Sequence, residues 1–188
     1  MIMNDTLKAI MERRTTRKFK EDQIKEEEIN TILKAGMYAP SAHNDQPWNF
    51  TVIQNKDLLN ELNKESKEIA KTFPNETIKK MGHNEKLNIF YGAPTIIVIS
   101  GRENAMMPQI DCAAATENML IAAESLDIGG CWNGIVGFLF DSNKVEIYKE
   151  KLGIPEGYRP YYAIALGYKK VKITKALPRK ENSIQYIK

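Results

Sequence analysis

Glu12-Arg13-Arg14-Thr15-Thr16-Arg17-Lys18-Phe19 and, about twenty residues on, Ala39-Pro40-Ser41-Ala42-His43-Asn44-Asp45-Gln46-Pro47-Trp48 are the stretches on which the reading of this chain turns. The first packs three arginines and two hydroxyls into five residues, just past a short helical pattern. An arginine fork matches phosphate oxygens, and threonine adds a small neutral donor. The second stretch collects turn formers and small polar side chains and ends on an aromatic. A loop of that kind can lie along a flat heterocycle and hydrogen-bond its edge. A surface patch of loose salt bridges to Glu21, Asp22 and Glu26–Glu28 is the plainer reading of the arginines, and a helix-terminating loop that of the second stretch.

The charge distribution says more than its sum. The chain has 188 residues and a net charge of +3. Residues 1–20 carry +4 and residues 168–188 carry +6, leaving the body between them at −7. Two basic ends on an acidic body can converge on one anionic ligand, bind nucleic acid, or remain solvated tails. Leu177-Pro178-Arg179-Lys180 supplies the cations of the tail.

Bulk composition excludes several classes. The length fits one domain over 1–188, able to bury a core without staples. No apolar run of about 18 residues exists, so no membrane span is expected. The N-terminus lacks the pattern of a secretory signal, and a cytoplasmic protein is expected. Two cysteines, Cys112 and Cys131, and two histidines, His43 and His83, lack metal-ligand spacing. Reduced, packed thiols and no metal site follow from that.

Along the chain, Asp5 or Thr6 is placed to cap a first helix, with Leu7, Ile10 and Met11 at helical spacing. A second helix is expected over Asp22–Tyr38, its buried stripe Ile29, Ile32, Leu33 and Met37. Asn49–Gln54 reads as a strand and Leu58–Lys71 as a polar helix. Residues 72–90, broken by Pro74, Asn75 and Gly82, are expected to form a mobile excursion. Thr95–Ser100, β-branched and bounded by Pro94 and Gly101, is the clearest buried strand. Asp111–Leu126 reads as a long alanine-rich helix ended by Gly129-Gly130. Beyond it come a short segment Cys131–Asn133, a helix over Lys144–Leu152 and a strand over Tyr161–Tyr168. An extended basic tail over 169–188 closes the chain. Helices and strands mix without βαβ alternation, which indicates an α+β fold. No Gly-x-Gly-x-x-Gly follows a strand, so a dinucleotide-binding Rossmann unit has no support. The Thr95–Ser100 strand carries no stacking aromatic, which weighs against RNA binding.

Taken together, Arg-Arg-Thr-Thr-Arg-Lys-Phe and Ala-Pro-Ser-Ala-His-Asn-Asp-Gln-Pro-Trp resemble the paired motifs of the nitroreductase family of FMN-dependent oxidoreductases. Gly129-Gly130-Cys131-Trp132-Asn133-Gly134 resembles that family's glycine-rich Cys/Ser-Trp-x-Gly segment. The resemblance implies a central mixed or antiparallel sheet flanked by helices, in an intertwined homodimer with FMN at the subunit interface. It implies that Arg13, Arg14, Thr15 and Arg17 meet Arg179 and Lys180 at the FMN phosphate. Pro40, Ser41, Ala42, Asn44 and Gln46 would edge the ring from the partner copy. Backbone at Gly130 or Cys131 would reach N5 or O4, glycine permitting close approach. His43 and Asn133 are candidates for the substrate side, with Asn133 making the pocket more polar, and Asn84, Lys86 and Asn88 are weaker candidates for the ring edge.

No nucleophile–base pair or carboxylate dyad is evident, which suits a protein whose cofactor carries the chemistry. The implied activity is ping-pong hydride transfer from NAD(P)H to nitroaromatics, quinones or similar acceptors. Dehalogenation, azoline oxidation or flavin fragmentation on the same fold, and non-enzymatic flavin binding, are the alternatives.

Overall fold

The computed structural model describes residues 2–134 and 137–188. Its centre is a four-stranded antiparallel sheet in the order β1-β2-β4-β3, from β1 (Trp48–Ile53), β2 (Thr95–Arg102), β3 (Ile128–Asn133) and β4 (Tyr158–Tyr168). Strand β2 explains why both faces are covered. Successive side chains point to opposite faces, and here Ile96 and Val98 enter one apolar cluster while Ile97 and Ile99 enter the other. An unbroken β-branched run is thus buried on both sides.

One face is covered by α2 (Glu26–Met37) and α5 (Pro108–Ser125), the other by α3 (Lys56–Lys71) and the short α6 (Gly137–Phe140). Helices α1 (Asp5–Glu12), α4 (Glu76–His83) and α7 (Val145–Lys151) complete the set. Gly36 sets the close approach of α2 to α5, since a Cβ there would lie 2.8 Å from Met119 Cγ.

Several boundaries differ from the sequence expectations, each for a local reason. Asn4, not Asp5 or Thr6, caps α1, its Oδ1 accepting the Leu7 N–H at 2.9 Å. Helix α2 begins at Glu26 because Lys25 is extended and its N–H donates to Glu28 Oε2 at 2.8 Å. Met37, expected in the buried stripe, is 57% exposed. Trp48 is half-buried, packs against the core cluster and stacks on Phe50.

The segment 72–90 contains α4, capped by Asn75 Oδ1, which accepts the Thr77 and Ile78 N–H groups. Gly82 lets α4 lie on α3, where a Cβ would sit 2.6 Å from Lys71 N. The residues read as breakers are thus a cap and a contact. Likewise Gly129-Gly130 does not end α5. The helix stops at Leu126, Asp127 takes φ 56°, and both glycines lie inside β3. Strand β4 starts three residues early because Pro160 sits at a register shift opposite Ser100, a position where the ladder tolerates proline. The tail from Lys170 onward is exposed.

Candidate functional site

The arginine stretch leaves α1 and runs against the free edge of β3. Thr15 bridges Gly130, and the Thr16 N–H donates to the Gly130 carbonyl at 2.9 Å. Further along, Phe19 is buried and bridges Lys169, with Lys20 N–H donating to the Tyr168 carbonyl at 2.9 Å. The glycines of β3 make this docking possible. A Cβ on Gly129 would lie 2.7–2.8 Å from three atoms of the buried Thr16 side chain, and one on Gly130 would lie 2.7 Å from Leu120 Cδ2. Their missing side chains thus accommodate Thr16 and Leu120.

The three arginines separate. Arg17 is exposed, with its guanidinium 5.6 Å from the centre of the Tyr91 ring. A hydrogen bond with the Tyr91 side chain raises its pKa, against a smaller opposing effect of burial. Among the described residues Arg17 has no carboxylate partner. Arg13 faces Glu117 of α5 at 3.7 Å. Arg14 differs: its Nη1 donates to the carbonyls of Met11 and Arg13, both at 2.7 Å. It lines a cavity of about 310 Å³ with Glu12, Thr16, Glu124, Lys169, Lys172, Ile173 and Thr174. Lys169 is held there by Glu124 at 2.9 Å and Asp127 at 3.1 Å. Arg14 Nε is buried and has no hydrogen-bond partner among the described residues, so only Nη1 is engaged at the end of α1. None of Glu21, Asp22 or Glu26–Glu28 pairs with the arginines, so the salt-bridge patch is absent among the described residues.

Cys131 is 1% exposed, and burial raises its thiol pKa while Arg17 pulls the other way. Gly130 and Cys131 stand in the ladder opposite Leu166 and Ala165. With the Gly130 carbonyl taken by Thr16, the accessible end of β3 is Trp132, with Gly134 just beyond the strand, both exposed. Asn133 is turned inward and donates to the Ile89 carbonyl. Asn84 and Asn88 spend their side-chain oxygens on the nearby Lys86 and Phe90 N–H groups.

The second stretch forms a protruding loop around a single 3₁₀ turn, Ala42–Asn44. Pro40 and residues 43–46 are exposed, and Ser41 and Ala42 half-buried. His43, Asn44 and Gln46 adopt φ of 53°, 57° and 46°, in the left-handed region. Ser41 Oγ accepts the Gln46 N–H at 3.0 Å, and Gln46 Nε2 donates to Asn44 Oδ1 at 2.9 Å. Asp111 Oδ1 of α5 accepts the Ala42 N–H at 3.1 Å, and Asp45 pairs with Arg102. Sequence reasoning missed Asp111 and Arg102 because both lie far along the chain from the loop they touch.

The loop and the arginines of one chain hang from different sides of α5. Asp111 holds the loop and Glu117 faces Arg13, separated by about 9 Å of rise and roughly 120° of turn. Among the described residues no hydrogen bond or ion pair joins them. Arg179 and Lys180 lie in the exposed tail, where Arg179 Nη1 donates to the Leu177 carbonyl at 3.1 Å. No group of three or more metal-ligating side chains, and no helix long and apolar enough to cross a membrane, occurs among the described residues.

This arrangement defines a sheet-centred α+β protein with a cationic strip along one strand edge, in which Arg17 has no carboxylate partner among the described residues, and a pinned polar loop elsewhere. A model of the Nitroreductase family matches residues 10–168, and the chain belongs to that family. A nitroreductase with bound FMN from Bacteroides fragilis is 35% identical and superposes with a TM-score of 0.92 over 99% of this chain and 100% of that one. A second, also with bound FMN, from Desulfitobacterium hafniense is 30% identical, with a TM-score of 0.90 over the full length of both. A protein of Archaeoglobus fulgidus, provisionally named NADH dehydrogenase/NAD(P)H nitroreductase, is 34% identical over 172 residues, 89% of this chain and 87% of that one.

Proposed function

We propose that this chain is an FMN-dependent NAD(P)H oxidoreductase of nitroreductase type that works as a homodimer. The observation that carries the reading is Arg17, an exposed cation fixed on an aromatic ring and left without a carboxylate partner among the described residues. A charge held in that way fits an anionic ligand better than a solvated surface does. Bound FMN would supply two-electron chemistry at its N5, between a reduced nicotinamide and an electron-poor acceptor such as a nitroaromatic or a quinone.

The chain's own residues would divide the work. Arg13 and Thr15 would hold the phosphate, joined by Arg179 and Lys180 of the tail. Arg17 would place positive charge beside the ring. Backbone at the accessible end of β3, just past Gly130 and Cys131, would bond the ring edge at the reacting side. Pro40, Ser41, Ala42, Asn44 and Gln46 of a second copy would close the other edge.

Three features support a second copy. Among the described residues, no hydrogen bond or ion pair joins the loop and the arginine strip of one chain. Leu7, Ile10 and Met11 of α1 and Met37 and Ile110 nearby leave apolar surface in solvent. In the tail, Leu177, Ile184, Tyr186 and Ile187 are exposed in a single copy. Burying such surface drives association.

The test is direct. Protein reconstituted with FMN should be yellow, bleach anaerobically with NADH or NADPH, regain colour with a quinone, and sediment as a dimer. Failure to retain FMN at micromolar concentration would overturn the cofactor, colour without bleaching the activity, and a flavin-loaded monomer the shared site.

A further inference from the structure

We infer that Asp111 and Arg102 are positioning residues that clamp the Ser41–Gln46 loop at two points and hold it in the shape that meets the flavin ring. The inference rests on the reading above for the loop's role, but the clamp itself is visible in one chain. His43, Asn44 and Gln46 all have positive φ, a region disfavoured for residues with a Cβ. The bonds inside the loop join Ser41, Ala42, Asn44, Asp45 and Gln46 only to one another. They stabilise a turn without fixing where it sits. Among the described residues, the external side-chain ties to the body are the Ala42 N–H to Asp111 Oδ1 at 3.1 Å, and Asp45 to Arg102.

The two anchors come from the two ends of one connection. Arg102 is the last residue of β2, and Asp111 stands in the first turn of α5. The Arg102 N–H also donates to the Pro47 carbonyl at 2.9 Å, so the exit of the loop is tied to the same residue. Asp111 is 4% exposed, yet its Oδ2 has no hydrogen-bond partner among the described residues. A buried carboxylate with one idle oxygen is an expensive way to fill space. It is intelligible where the other oxygen performs a specific task, and here that task is to fix Ala42. The helix N-terminus lowers the cost of keeping the charge there.

The experiment compares wild type with Asp111→Ala, Asp111→Asn, Arg102→Ala and Asp45→Ala in the full-length protein. Two readouts are taken: amide hydrogen exchange over residues 41–46 without flavin, and FMN affinity with visible circular dichroism of the bound flavin. Asp111→Ala is expected to speed exchange at Ala42 and Gln46 by tenfold or more. It should weaken FMN binding about tenfold, the scale of one lost charge-assisted hydrogen bond. Asp111→Asn keeps a carbonyl acceptor for Ala42 and should stay within about threefold of wild type. A role confined to helix charge would make Asn behave like Ala and would overturn the assignment. Arg102→Ala and Asp45→Ala should act alike, with the double variant no worse than either.

Unchanged loop exchange in Asp111→Ala and Arg102→Ala would overturn the clamp. Faster exchange with unchanged FMN affinity and dichroism would overturn the positioning role while leaving the flavin reading intact. Absence of FMN binding by the wild-type protein would overturn that reading and the positioning role with it, while exchange still decides the clamp.

Discussion

The guanidinium of Arg17 lies 5.6 Å from the centre of the ring of Tyr91, a residue with φ 58°. The contact keeps an exposed cation in place without neutralising it, as a carboxylate would. Arg17→Ala should therefore weaken FMN binding by roughly tenfold to a hundredfold, the range for hydrogen bonds to a charged group. Tyr91→Ala should weaken it by about two- to fivefold, matching the ~0.5–1 kcal/mol of an exposed cation–π contact. Fluorescence titration of FMN, quenched on binding, measures both.

Arg14 should behave oppositely. Its Nη1 satisfies the Met11 and Arg13 carbonyls, groups left without partners where α1 ends. Arg14→Ala is expected to lower unfolding free energy by about 1–2 kcal/mol. FMN affinity per folded molecule should change by less than about threefold, well short of the loss at Arg17. Urea denaturation paired with flavin titration separates the two effects.

That division among neighbouring arginines marks where the sequence stops being legible. The β-branched run at Thr95–Ser100, the alanine-rich α5 and the strand of β4 follow from residues close in the chain, and all three appear in the fold. Which arginine faces outward depends on the pairing of Thr15 with Gly130, a contact between residues 115 apart. Gly129-Gly130 misled for a related reason. A glycine pair after a helix is a common stop, but Asp127 already takes the left-handed conformation. The glycines answer to Thr16 and Leu120, which no local pattern announces. Asn75 read as a breaker although asparagine is also a good cap, and only the docking of α4 on α3 decides between the two.

The thiols yield a prediction about reactivity and alkaline stability. Burial, helped by the Asp111 charge, pushes the Cys112 thiol up to about 12, and burial raises Cys131 too. Neither should react with an aromatic disulfide at pH 8 in the native protein, and both should react in denaturant. For Cys112 the folded pKa exceeds the unfolded one. Its contribution is thus complete below the ordinary thiol range and is lost as pH rises from there toward about 12. Cys112→Ala should flatten the alkaline limb of the stability–pH curve, as measured by thermal unfolding between about pH 8 and 11.

Gly129→Ala tests whether β3 builds the arginine strip by letting Thr16 come close. The added methyl would meet Thr16 Cγ2 at 2.7 Å and its Cβ and Oγ1 at 2.8 Å, atoms of a short, buried side chain with little room to move. Either Thr16 is driven off the sheet edge or β3 shifts. Overpacking of this kind costs about 1–3 kcal/mol. Displacement of Thr16 would also strain its bond to the Gly130 carbonyl and carry Thr15 and Arg17 away with it. The expected result is lower stability together with a loss of FMN affinity of about tenfold, retained even in stabilising osmolyte that restores folding. Thr16→Ser with Gly129→Ala removes the Cγ2 contact and should recover part of both. A Gly129→Ala protein that folds less stably but binds FMN as tightly as wild type would mean that the strip is positioned by something other than its seat on β3.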